Sequence, residues 1–226
     1  MTKIAEMEKS KKTRILLVED HPMFRDQLAS LIGSEPDMEV CGQADNIRDA
    51  MEIAQRTKPD VAIVDVTLKG VSGLEFIKDL RAQDVQIPIL VLSMHEESLY
   101  AERVLQAGAR GYVSKSQPSS EVMKAIRKVM MGDVYLSEDV TTSLLKRMAD
   151  RGATSAGIGV QSLTDRELEI FQMIGRGHNM AAIAQNMNLS PSTVETYRTR
   201  IRGKLGVKNA AALYSVAATW VRDKGS

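Results

Sequence analysis

The chain of 226 residues is 43% hydrophobic and 26% charged with a formal net charge of +1, the composition of an ordinary soluble globular protein of one large or two small domains. Its longest apolar runs are far too short to span a bilayer, and the charged segment Met1 to Thr13 has no apolar signal core, which argues against a membrane partner and against secretion. Cys41 is the only cysteine, so an internal disulfide is excluded and the whole profile fits the cytoplasm.

From Arg14 to Met131 strand and helix signals alternate five times. Strands are expected near 14–18, 38–43, 61–64, 89–92 and 110–113, with helices near 22–33, 46–57, 73–82, 96–107 and 118–131. Glu35-Pro36-Asp37, Lys58-Pro59-Asp60, Gly70, Gly73 and Ala107-Gly108-Ala109 punctuate the connections. Such alternation implies a parallel sheet with helices on both faces. Ser137 can cap a helix over 138–150, and Arg151 to Gly159, with no periodicity, reads as a flexible linker. Beyond Ser162 only helical signals remain. Thr164 with Glu167 matches a capping box that opens a helix to about Ile174. A short helix is expected at 180–187. Ser190-Pro191 opens the next, to Leu205, where Gly206 ends it, and a last helix covers about 209–221. The chain therefore divides into a tail (1–13), an α/β domain (14–131), a linker with one helix (132–161) and an all-α domain (162–226).

Four of the apolar runs end in residues suited to phosphoryl chemistry: Glu19-Asp20, Asp65, Ser93 and Lys115. Ligands of open parallel α/β sheets bind outside the carboxyl ends of the strands, so these groups converge on one pocket. Glu19, Asp20 and Asp65 repel one another unless a cation sits between them, and Mg²⁺ is the hard cation that carboxylates hold. A carboxylate can also act as a nucleophile and form an aspartyl-phosphate. Charge on the transferred group would be neutralised by Mg²⁺, Lys115 and the Ser93 hydroxyl.

The first ~120 residues resemble the receiver domain of two-component response regulators. The matching stretches are Leu16-Leu17-Val18-Glu19-Asp20-His21-Pro22, Val64-Asp65-Val66-Thr67-Leu68 with Gly73, Leu92-Ser93-Met94, and Ala107-Gly108-Ala109-Arg110-Gly111-Tyr112-Val113-Ser114-Lys115. The resemblance implies a doubly wound, flavodoxin-like sheet of five parallel strands in the order 2-1-3-4-5. It implies that Asp65 accepts a phosphoryl group from the phosphohistidine of a partner sensor kinase, with Lys115 contacting that group. Asp20, Asp65 and the backbone carbonyl of Thr67 would bind Mg²⁺, with Glu19 acting through a water. Ser93 and Tyr112 would be the switch, Ser93 moving to the phosphoryl group and Tyr112 turning inward. Tyr112 as a plain core filler stays open beside this. His21 is expected as a turn residue opening the first helix, and Thr67 and His95 flank the pocket. Lys69 and Ser116 depart from the prolines frequent at their positions, which concerns loop shape. Beyond its own phosphorylation and dephosphorylation the domain would not be an enzyme. A haloacid-dehalogenase-type phosphatase is disfavoured because Thr67 stands where such enzymes carry a second Asp.

Charge is distributed unevenly: from Ser162 onward there are nine Lys+Arg against five Asp+Glu, which suits a nucleic-acid partner. On the helix from Pro191, Val194, Tyr197, Ile201 and Leu205 share one arc and should face the core. The opposite arc presents Ser192, Glu195, Thr196, Thr199 and Gly203 between flanking Arg200, Arg202 and Lys204, a pattern suited to a helix in the DNA major groove. The last ~60 residues resemble the four-helix helix-turn-helix of the NarL/FixJ (LuxR-type) regulators, through Leu163-Thr164-Asp165-Arg166-Glu167, Ile183-Ala184, Leu189-Ser190-Pro191-Ser192-Thr193-Val194-Glu195 and Lys204-Leu205-Gly206-Val207-Lys208. The resemblance implies that 191–204 is the recognition helix, that the last helix is a dimer contact, and that the active protein is a homodimer on double-stranded DNA. Ser192, Thr193, Thr196 and Thr199 are candidate DNA contacts, and Arg200, Arg202, Lys204 and Lys208 candidate phosphate contacts. Glu195 either accepts from a cytosine or pairs with Arg198.

Overall fold

The computed structural model describes residues 12–68, 71–94, 97–150 and 159–224. The tail before Lys12, the linker segment Arg151 to Ile158, and Lys69, Gly70 and His95 lie outside them. The chain forms two compact units, one reaching to Arg147 apart from Lys69–Ser72, the other comprising the remainder.

Up to Asp150 the chain contains, in order, β1 (Thr13–Val18), α1 (Pro22–Gly33), β2 (Met38–Ala44), α2 (Ile47–Thr57), β3 (Val61–Asp65), the two-residue strands β4 (Thr67–Leu68) and β5 (Val71–Ser72), α3 (Gly73–Ala82), β6 (Ile89–Ser93), α4 (Glu97–Ala107), β7 (Gly111–Ser114), α5 (Ser119–Met130) and α6 (Glu138–Asp150). Five strands form one sheet in the order β2-β1-β3-β6-β7, every neighbour parallel. Without the short pair β4 and β5, this is the expected order 2-1-3-4-5. That pair, which the sequence pattern did not announce, forms its own two-stranded sheet. Two-residue strands are too short to show a period.

Strands covered on both faces read as continuous apolar runs, because neither face meets water. Ile15, Leu16, Leu17, Val61, Ala62, Val64, Ile89, Leu90 and Val91 are accordingly fully buried. Alternate residues divide between the faces. Ile15, Leu17, Val61, Ile63, Leu90 and Leu92 pack in one cluster with Leu28 and Ile32 of α1 and Val122, Ile126 and Val129 of α5. On β2, Gly42 sits where a Cβ would come within 2.3 Å of Ile53 Cγ2, so α2 lies close on its strand. The free edge of β7 is partly covered: Tyr112 N–H donates to the Tyr135 carbonyl (3.0 Å), and Tyr135 N–H donates to the Arg110 carbonyl (2.9 Å).

Register decides where the polar residues end up. Val18 stands beside Val64, Asp65 beside Leu92 and Ser93 beside Ser114, so four strands finish level. Chain reversal after β3 brings α3 back against that edge, where Gly73 N–H donates to the Val66 carbonyl at 2.6 Å.

The second unit is helical: α7 (Asp165–Gly175), α8 (Met180–Asn186), α9 (Pro191–Leu205) and α10 (Ala210–Lys224), after a 3₁₀ turn at Val160–Ser162. Each start has a chemical cause. Thr164 and Glu167 form the capping box, Asn179 Oδ1 accepts from Ala182 N–H, and Ser190 Oγ accepts from Thr193 N–H with Pro191 following. Gly206 ends α9 in the left-handed region (φ 66°), which costs glycine nothing. Leu168, Phe171, Ile174, Ile183, Val194, Ile201 and Leu213 make the buried core, with Trp220 edge-on to Phe171 at 5.6 Å.

At Gly73 a Cβ would lie 1.8 Å from the Asp65 carbonyl oxygen, a backbone atom that cannot swing aside. Gly73→Ala is therefore expected to destabilise the first unit by about 1–3 kcal/mol, as overpacking does. Urea unfolding at matched conditions reads this; an unchanged midpoint would show that the α3 start does not bear on β3.

Candidate functional site

At the level strand ends the polar residues meet. Glu19 and Asp65 are nearly fully buried and Ser93 is entirely so. Lys115, from the end of β7, bridges two acids: its Nζ lies 2.7 Å from Asp65 Oδ2 and 2.6 Å from Glu19 Oε2. The ammonium also stands 4.6 Å from the centre of the Phe24 ring, on α1. Asp65 Oδ1 accepts from Thr67 N–H at 3.3 Å, which turns the chain tightly after β3. Burial pushes the Asp65 carboxyl up to about 6, with the Glu19 charge acting the same way and Lys115 opposing both.

Glu19, Asp20, His21 and Asp65 each present a ligand atom, and these four atoms lie within 4.8 Å of one another, so the cluster can hold a metal ion. His21 does open α1 as its N-cap, and its side chain is largely exposed. Its Nδ1 nevertheless sits 2.8 Å from Asp20 Oδ1 and 3.2 Å from Glu19 Oε1, closer to the acids than its role as a turn residue suggested. Sequence reading also passed over Phe24 and over Arg25, whose Nη1 donates to the Glu19 carbonyl at 2.6 Å. Both lie in the first turns of α1, directly after the acids, and that position was the available signal. Tyr112 is fully buried, so an inward turn starts from a ring already inside the domain.

In the second unit α9 presents Ser192, Glu195, Thr196, Thr199, Arg200 and Gly203 to solvent and turns Val194 and Ile201 into the core, with Tyr197 and Leu205 half-buried. A Cβ on Gly203 would meet nothing within 4 Å, so the strip is open there. Thr193 and Arg202 are half-buried and Lys208 is exposed. Glu195 pairs with Arg198 (2.9 Å), and the Arg198 guanidinium stacks 5.8 Å from the Tyr214 ring. Thr196 Oγ1 donates to the Ser192 carbonyl (3.0 Å), and Thr199 Oγ1 accepts from Arg202 Nη2 (3.3 Å). Lys204 differs from its neighbours: its Nζ is 2.6 Å from Glu167 Oε2, turned to α7.

Comparison with known proteins gives the same division. A family model described as response regulator receiver domain matches residues 15–127, and one described as bacterial regulatory proteins, luxR family, matches residues 161–217. The response regulator GacA of Pseudomonas aeruginosa is 34% identical over 205 residues, covering 90% of this chain and 94% of that protein. The response regulator UvrY of Escherichia coli K12 is 32% identical over 203 residues, covering 90% and 92%. Among solved structures, a LuxR-family two-component response regulator from Aurantimonas is 32% identical with a TM-score of 0.57 over 62% of this chain and 99% of that one. RcsB of Salmonella enterica serovar Typhimurium, bound to promoter rprA in the presence of phosphomimetic BeF₃⁻, shares the fold at 20% identity, with a TM-score of 0.58 over 92% of this chain and 99% of that one. Among the described residues no helix is long and apolar enough to cross a membrane. With the acid cluster and the exposed α9 strip in place, the chain belongs to the two-component response regulators of the NarL/FixJ family, DNA-binding transcription regulators that join a receiver domain to a LuxR-type helix-turn-helix.

Proposed function

We propose that this chain acts in the cytoplasm, that Asp65 accepts a phosphoryl group from a partner sensor histidine kinase in a Mg²⁺-dependent reaction, and that the phosphorylated chain dimerises and binds promoter DNA. The observation that carries this reading is the contact of Lys115 Nζ with Asp65 Oδ2, 2.7 Å, inside the acid cluster. An Asp65 oxygen would attack the phosphorus of the kinase phosphohistidine; a P–O bond forms, the P–N bond breaks and the imidazole leaves with its electron pair. Lys115 would then exchange its carboxylate partner for a phosphoryl oxygen, and Ser93 would offer its hydroxyl to the same group. Asp20, Asp65 and the Thr67 carbonyl would hold Mg²⁺, with Glu19 acting through a water and His21 at hand. When bound, the ion offsets negative charge on the pocket and on the transferred group. Ser93 and Tyr112 lie on adjacent strands, β6 and β7, which supports a paired switch.

On DNA, Thr196 and Thr199 would face base edges, with Ser192 and Thr193 at the start of α9 nearby. Arg200, Arg202 and Lys208 would grip phosphates. Glu195, tied to Arg198, would shape the strip more than read a base.

Three outcomes test the reading. Beryllofluoride with Mg²⁺ mimics the aspartyl-phosphate, so fluorine NMR should show bound mimic on the wild type and none on Asp65→Asn; equal binding by both would remove Asp65 from its role. Because Asp65 binds its proton with a value near 6, protons compete with the cation below that pH and not above it. Calorimetric Mg²⁺ affinity should be flat above about pH 7 and fall by up to about tenfold per unit well below pH 6; affinity independent of pH from 5 to 7 would contradict the site. Finally, Arg200→Ala or Lys208→Ala should each reduce the slope of log affinity for duplex DNA against log salt by about one. An unchanged slope would sink the phosphate contacts.

A further inference from the structure

The first turns of α7 carry a run of charged residues that solvent barely reaches: Arg166 is 7% exposed, Glu167 3% and Glu169 3%. Charged groups are costly to bury unless they are paired, so their partners indicate what holds them there. Arg166 Nη1 lies 2.6 Å from Glu169 Oε2, and its Nη2 donates to the Met187 carbonyl at 3.0 Å. Met187 is the C-cap of α8. Glu167 Oε2 accepts from Thr164 N–H at 2.7 Å and from Lys204 Nζ at 2.6 Å. Lys204 lies in the last turn of α9. Two successive residues of one helix thus reach in two directions, one to the end of α8 and the other to the end of α9.

Resting on the reading of α8 and α9 as a DNA-binding helix pair, we propose that Arg166 and Glu167 are positioning residues that clamp the two helices at a set angle, and that Lys204 belongs to this clamp and makes no phosphate contact. Three features support it. The Lys204 ammonium is directed at a carboxylate that solvent does not reach, whereas Arg200 and Lys208 are exposed. Burial alone would push the Glu167 carboxyl up, yet the bonds from Lys204 and Thr164 outweigh it and hold the group below its ordinary value. If Lys204 left for a phosphate, the buried Glu167 carboxylate would lose this cationic partner while still tied to Thr164. The capping box therefore does more than start α7: its Glu side chain also fixes α9 in place.

The test uses the full chain loaded with beryllofluoride and Mg²⁺, binding a random-sequence duplex over a series of salt concentrations. Two variants separate charge from brace. Lys204→Met removes both; Lys204→Gln removes the charge but keeps an amide that can donate to Glu167. The clamp expects Lys204→Met to lose about tenfold or more in affinity at every salt concentration with the wild-type slope. It expects Lys204→Gln to keep the wild-type slope and to lose less affinity than Lys204→Met. A slope reduced by about one in Lys204→Gln would make Lys204 a phosphate contact and overturn the proposal. Wild-type affinity in Lys204→Met would overturn it equally. Should Lys204→Met fail to fold, the Gln variant decides alone. Wild-type protein that binds no duplex would instead defeat the DNA-binding reading, an outcome visible before any variant is compared.

Discussion

The first unit depends on one arrangement: a single ammonium shared between two buried carboxylates at the ends of three strands. From the end of β7, Lys115 reaches Asp65 on the central strand β3 and Glu19 just after β1, and its side chain is only 5% exposed. Removing charges from water is expensive, and a pair recovers that cost only with close geometry and further bonds. Here the recovery is incomplete. Burial above all, with the Glu19 charge adding to it, leaves the Asp65 carboxyl near 6 despite Lys115, and three acids, Glu19, Asp20 and Asp65, gather around that one ammonium. Such a cluster can hold a metal ion.

That imbalance requires a rigid support, and the sheet provides it. Parallel strands buried on both faces end level, so one residue from each reaches the same point. The close passage of Gly73 by the Asp65 carbonyl, with no room for a Cβ, ties the start of α3 to the end of β3. In the second unit a comparable economy holds: Arg166 and Glu167 connect α7 to both helices behind the exposed strip. Each unit thus holds paired charges out of water, at the strand ends in the first and beneath α8 and α9 in the second.

Much of this was legible in the sequence, for identifiable reasons. Polar residues that directly follow apolar runs sit at strand ends, which groups Glu19, Asp65, Ser93 and Lys115 from the sequence alone. Caps with a chemical signature, Thr164 with Glu167 and Ser190 with Pro191, set helix starts to the residue. The arc of α9 separated buried Val194 and Ile201 from exposed Thr196 and Thr199. What stayed hidden depends on partners far apart in the chain. A helical arc shows that Lys204 flanks the strip, but not that Glu167, 37 residues earlier, stands across from it. Arg166 looks like a surface charge until the Met187 carbonyl at the end of α8 accepts its hydrogen bond. Phe24 beneath Lys115 and the β4–β5 pair have no periodic signature at all.

Phosphorylation of Asp65 is open to chemical mapping: the full chain is treated with a small-molecule phosphodonor and Mg²⁺, the acyl phosphate is reduced with borohydride to homoserine, and the modified position is located by peptide mass spectrometry. Conversion confined to Asp65 is the expected result. Conversion at Asp20 or Asp60 with Asp65 intact would contradict the account.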